Sequence, residues 1–85
     1  MAMDHIAYVL DIEDAFSLRI SDEDAANMNT VGDMQAYLVR RLPRLEPRVI
    51  WERQLDVLVK LKKISDEQRE RIRPTDQFIR DLGFN

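Results

Sequence analysis

Two prolines in the stretch "PRLEPR" (Pro43–Arg48) divide this chain into two amphipathic halves, residues 1–42 and 49–85. Proline resists the helix interior and pushes the residue before it toward extended backbone, so 43–48 reads as a linker. Six residues of chain reach at most about 20 Å. With 85 residues in all, a chain buries roughly 60–65% of the surface its unfolded form exposes, enough for one modest core. The expectation is a single domain over 1–85.

Both halves carry apolar residues at helical spacing. A first helix is predicted from about Met3 to Ala15. Ile6, Val9 and Leu10 lie on one stripe, and Tyr8, Ile12 and Phe16 on another at i, i+4, i+8. That apolar arc is broad, which means either several packed neighbours or a part exposed for a partner. Ser21 with Asp24 predicts the cap of a short helix of about two turns, its acids in the first turn where the helix dipole favours them. Thr30 with Asp33 repeats the logic for a helix to about Leu42, with Val31, Met34, Tyr37 and Leu38 inward. After the linker, a helix from about Val49 to Lys63 buries Ile50, Trp51, Leu55, Leu58 and Val59. Ser65 with Gln68 caps a short turn that Pro74 closes. The architecture expected is all-α: three substantial helices and one or two short ones.

The composition excludes several chemistries. There is no cysteine and one histidine, so disulfides, thiolate sites, a His-based zinc site and a Ser-His-Asp triad are out. No nucleophile–base pair or phosphate loop is visible, and an enzyme is not expected. His5 is expected to face solvent near its helix start, and Tyr37 and Trp51 to pack in the core. Residues 1–42 hold eight acids against three bases, a net of −5; residues 43–85 hold eight against ten, a net of +2. That is no basic stripe for nucleic acid. No apolar run approaches the ~18–20 residues that span a membrane, and the acidic start is unlike a signal peptide, so the cytoplasm is the expected location.

The ends are abrupt. "TDQFIRDLGFN" runs an apolar turn into Gly83, a residue suited to a left-handed helix stop. Such a stop normally introduces another element. The opening "MAMDHIAYVLDIEDAF" is already helical from its first residues.

Placed in reverse order, with Asn85 leading toward Ala2, the halves give "RPTDQFIRDLGFN" followed by "AMDHIAYVLDIEDAFSLRISDEDAANMNTVGDMQAYL". In this order the chain resembles the acyl carrier protein family over most of its length. Ile72, Pro74, Phe78, Asp81, Leu82 and Gly83 match the loop that leads to the family's attachment site. Asp4, Ile12, Glu13, Asp14 and Phe16 match its second helix. Ile20, Asp22, Glu23, Asp24 and Ala25, then Thr30, Val31, Gly32 and Asp33, match the starts of its third and fourth helices.

The resemblance implies a four-helix bundle in circularly permuted order, with 1–42 as family helices two to four and 49–85 as helix one and the following loop. It also implies that the two termini lie close together. The family links phosphopantetheine to a serine, and that position falls on Ala2, flanked by Asn85, Met3 and Asp4; no cofactor is therefore expected. The family's second helix docks on partner enzymes with basic patches, which carries over to Met3, Asp4, Ile6, Leu10, Asp11 and Asp14. A monomer or a half-exchanged dimer would satisfy the linker. Two alternatives remain open: a rearranged true carrier of thioester biosynthesis, and an unrelated small helical adaptor.

Overall fold

The computed structural model describes residues 2–85. Its helices are α1 (Met3–Phe16), α2 (Asp22–Ala26), α3 (Val31–Arg41), α4 (Pro47–Lys62) and α5 (Asp66–Arg71), and no further helix follows in 72–85. The fold is all-α. With α2 and α5 both short, it carries one short helix more than a four-helix pattern.

The caps explain most boundaries. Asp33 N–H donates to Thr30 Oγ1 (3.0 Å), while Thr30 N–H donates to Asp33 Oδ2 (3.0 Å), a reciprocal box that starts α3. Ser65 and Gln68 make the equivalent pair at α5. At α2, Asp24 N–H donates to Ser21 Oγ (3.1 Å) without the return bond, and the helix lasts five residues rather than two full turns. α4 begins at Pro47, two residues earlier than expected, because the first helical position loses nothing when the N–H is missing. The connection to α3 is thus shorter than the 43–48 linker. α1 and α4 end at Ser17 (φ 53°) and Lys63 (φ 54°), left-handed caps supplied without glycine.

α1 and α3 both pack against α4, and both run antiparallel to it. Lys62 at the end of α4 pairs with Asp4 at the start of α1 (2.9 Å), and the Arg53 guanidinium lies 6.0 Å above the Phe16 ring at α1's far end. On the other side, Gln54 Nε2 donates to Val31 O (2.8 Å) and Gln35 Nε2 to Pro47 O (2.9 Å). Tyr8, Ile12, Val31, Met34, Leu38, Ile50, Leu58 and Phe78 form the centre of the core. Gln54 is buried among them, one turn from Ile50 and from Leu58, so helix geometry carries it inward. Trp51 and Val59 are half-buried, farther out than their spacing suggested.

The broad arc of α1 is partly a surface, one of the two possibilities its width allowed: Ile6 and Leu10 are 40% and 54% exposed, while Val9 is buried. One further expectation is corrected. His5 is buried, not solvent-facing, and its Nε2 lies 3.0 Å from Ala25 O, which ties α1 to α2. A carbonyl only accepts, so Nε2 carries the proton.

Residues 74–78 run beside the start of α3. Val31 N–H donates to Asp76 O (3.0 Å), Gly32 N–H to Pro74 O (2.8 Å), and Phe78 N–H to Asn29 O (3.0 Å). The first N–H groups of a helix have no partner within it, and here loop carbonyls supply one. The approach is close enough that a Cβ on Gly32 would stand 2.8 Å from Pro74 O. No helix among the described residues is long and apolar enough to cross a membrane.

Candidate functional site

α1 starts without a side-chain cap. Ala2 occupies the N-cap position with extended backbone (φ −64°, ψ 150°), and its carbonyl accepts from Ile6 N–H (3.1 Å). A methyl group cannot accept from the orphan donors of the first turn. The chain's last residue takes that role. Asp4 N–H donates to the Asn85 backbone oxygen (2.8 Å), and Asn85 N–H donates to Asp4 Oδ2 (3.0 Å).

This pair has a counterpart elsewhere in the molecule. At α3, Asp33 N–H donates to Thr30 O (3.1 Å) and Thr30 N–H to Asp33 Oδ2 (3.0 Å), across three residues of continuous chain. Asn85 and Asp4 make the same two bonds one position earlier along their helix, since the N-cap of α3 is Thr30 and that of α1 is Ala2, so the residue at the other end of the sequence closes on the first turn of α1.

Three groups hold the junction. Lys62 Nζ donates to Asp4 Oδ2 (2.9 Å) and to Gly83 O (3.2 Å), and stands 5.9 Å from the Phe84 ring centroid. The Lys62 hydrogen bond, then the Asn85 N–H, hold the Asp4 carboxyl below the usual carboxylate range. Gly83 turns the chain at φ 68°, and Phe84 N–H closes back on Phe78 O (3.0 Å). Beneath lies an aromatic nest: Phe78 and Phe84 stack at 5.1 Å, Tyr8 lies 5.1 Å from Phe78, and His5 meets Phe78 edge-on at 5.4 Å. Beside Ala2 a cleft of about 420 Å³ opens, lined by His5, Ala26, Met28, Phe78 and Ile79.

Ala2, Met3, Asp4 and Asn85 are thus brought together. Met3 is 77% exposed and continues into Ile6 and Leu10, while Asp11 and Asp14 stand exposed along the same helix. Ile79, 68% exposed, adds to the apolar rim of the cleft. Sequence reasoning missed Lys62 and Phe84. Lys62 lies 58 positions from Asp4 and carries no local signal; Phe84, an apolar residue beside a turn glycine, was a readable one.

The serines are placed otherwise. Ser21 Oγ accepts from Asp24 N–H and Ser65 Oγ from Gln68 N–H, so both are helix caps, and Ser17 ends α1. No group of three or more His, Asp or Glu suited to a metal ion is found among the described residues.

The chain is 50% identical over 34 residues to an acyl carrier protein of Exiguobacterium sp. (strain AT1b). The match takes in 40% of this chain and 43% of that protein, so the chain spans less than half of the relative it matches. No protein-family model matches the chain, and no solved structure gives a significant match.

Proposed function

We propose that this chain is an acyl-carrier-like protein in circularly permuted order, one that acts by protein–protein contact rather than by carrying phosphopantetheine. One observation carries the reading: Asp4 N–H bonds to Asn85 O and Asn85 N–H to Asp4 Oδ2 beside Ala2, the position on which the resemblance puts the family's serine. The Exiguobacterium carrier supports the family side of it. Phosphopantetheine would need a hydroxyl at position 2 to form its phosphodiester, and alanine offers none. Ser21 and Ser65 have their oxygens engaged as caps, so neither replaces it. Ser17 is exposed, but like the other two it lacks the Asp-Ser-Leu surroundings of the family's attachment serine, so the residues present do not fit the group.

What remains is the face of α1. Met3, Ile6 and Leu10 supply apolar contact, and Asp11 and Asp14 supply charge that a basic patch on a carrier-recognising enzyme would meet. On this reading 1–85 is one carrier-like domain working in the cytoplasm. The second reading is a true carrier of thioester biosynthesis that was rearranged and lost its serine at the new junction.

The test is to incubate the protein with a phosphopantetheinyl transferase and coenzyme A and weigh it intact. Unchanged mass is expected; a gain mapping to any serine overturns the non-carrier reading. Neutralising Asp11 and Asp14 should weaken binding to a carrier-recognising enzyme, and unchanged binding would remove the docking role.

A further inference from the structure

With no cysteine in the chain, methionine thioethers are its only sulfur groups. The fold separates those of the described residues sharply. Met34 is sealed in the core on α3, and Met28, 5% exposed, lies in the wall of the cleft beside Ala2. Met3 is 77% exposed, more than Ile79, Leu10 or Ile6. It belongs neither to the core cluster nor to the half-buried residues packed against it. Met3, Ile6 and Leu10 follow one another at i, i+3 and i+7, so the Met3 thioether heads the exposed apolar stripe of α1.

Thioether oxidation produces a polar, chiral sulfoxide from a flexible apolar side chain, and reductases specific for each epimer reverse it. Leu10, at the other end of the stripe, has no such chemistry. We propose that Met3 is a reversible oxidation site whose sulfoxide weakens docking on α1. Hydrogen peroxide supplies the oxygen. The sulfur lone pair attacks one peroxide oxygen, and an S–O bond forms as the O–O bond breaks. The proton on the transferred oxygen passes to the departing hydroxide, giving water. Sulfur loses two electrons and the peroxide gains them.

The product places an S–O dipole at the head of the stripe. A partner that covers it must strip its water without returning a hydrogen bond, which costs affinity. The fold is spared, because Met3 packs against nothing in the core while Met28 and Met34 stay closed to solvent. The effect on docking rests on reading α1 as the partner face; the selectivity of oxidation does not.

Mild peroxide treatment of the whole protein, followed by fragment-ion mapping, tests the first part. Met3 should gain one oxygen roughly tenfold faster than Met28 or Met34, with helical circular dichroism unchanged. The second part uses a phosphopantetheinyl transferase as the probe, titrated without coenzyme A. Oxidised protein should bind it about tenfold more weakly, and treatment with both methionine sulfoxide reductases should restore the affinity. Met3→Gln should weaken binding in the same direction. Met3→Leu is compared with itself: whatever its starting affinity, peroxide should leave it unchanged.

Equal oxidation rates at Met3, Met28 and Met34 overturn the inference. So does oxidised wild type that binds as before, or a Met3→Leu variant that still loses affinity on peroxide treatment. The docking reading fails separately. Binding that Asp11→Asn with Asp14→Asn weakens and oxidation does not removes the Met3 site alone, whereas untreated wild type that fails to bind the transferase removes both.

Discussion

Asp4 concentrates more of the molecule's long-range order than any neighbour, because one carboxylate oxygen serves both Lys62 and the Asn85 N–H. Its pKa is depressed in the folded state, so the unfolded chain binds the proton more tightly. The contribution is complete above the unfolded value of about 3.9 and is lost as pH falls through the folded value. Asp4→Asn should lower the urea midpoint at pH 7, and the gap to the wild type should close on acidification below about pH 4. Tyr8 is the opposite case. Burial pushes its hydroxyl far above the usual phenol range, with Gln54 the nearest opposing group. By strict geometry, however, the Tyr8 hydroxyl and Gln54 Oε1 both lack a partner. A buried hydroxyl without a partner is itself costly to ionise, which accounts for the raised pKa. Tyr8→Phe removes an unsatisfied group at constant shape and should change stability by less than about 1 kcal/mol. Gln54→Ala removes the bond to Val31 O and leaves a void, and should cost about 2–3 kcal/mol by urea denaturation.

Among the elements, α3 depends on a loop that lies more than forty residues away in sequence. Its first N–H groups are satisfied by Pro74 and Asp76, and Gly32 is small because Pro74 O needs the space. Gly32→Ala places a Cβ against a backbone oxygen that cannot swing aside, so it should cost about 2 kcal/mol or more. Gly83 offers a control. A Cβ there meets nothing within 4 Å, but φ is +68°, so Gly83→Ala should cost only about 1 kcal/mol. Thermal unfolding of the two variants should rank them in that order. The caps at Ser21, Thr30 and Ser65 were readable from the sequence because capping acts within three residues. The start of α1 at Met3 was readable from periodicity, but not what satisfies its first turn, since those groups belong to Asn85 at the other end of the chain.

For the whole molecule, the permutation reading makes a prediction that no single substitution can. A rearranged chain that runs 47–85 and then 2–46, with Ala2→Ser at the new junction, should fold with the same helical content and accept phosphopantetheine from a transferase. Circular dichroism and intact mass check both parts. A rearranged chain that fails to fold would count against the reading, because Asn85 and Ala2 would then not be natural neighbours. The partner surface belongs to this scale too. The spacing of Met3, Ile6 and Leu10 marked an apolar stripe, yet the same spacing also describes a buried one. The packing of α4 and of Phe78 and Phe84 against α1 decided which side stayed open: Tyr8 and Ile12 are covered, and Met3 and Leu10 are left to solvent.

The amino-acid sequence alone determined that the chain is helical, roughly where its five helices begin, and which residues resemble a carrier's attachment loop. Those features are local: they depend on periodicity, on caps and on glycine or proline within one or two turns. Tertiary structure decided the rest. It buried His5 and Gln54, exposed Ile6 and Leu10, and set Lys62 against Asp4 across 58 positions. Each of these follows from which helix faces which, and that is settled only when α1 and α3 close on α4 and residues 74–85 fold back over their starts.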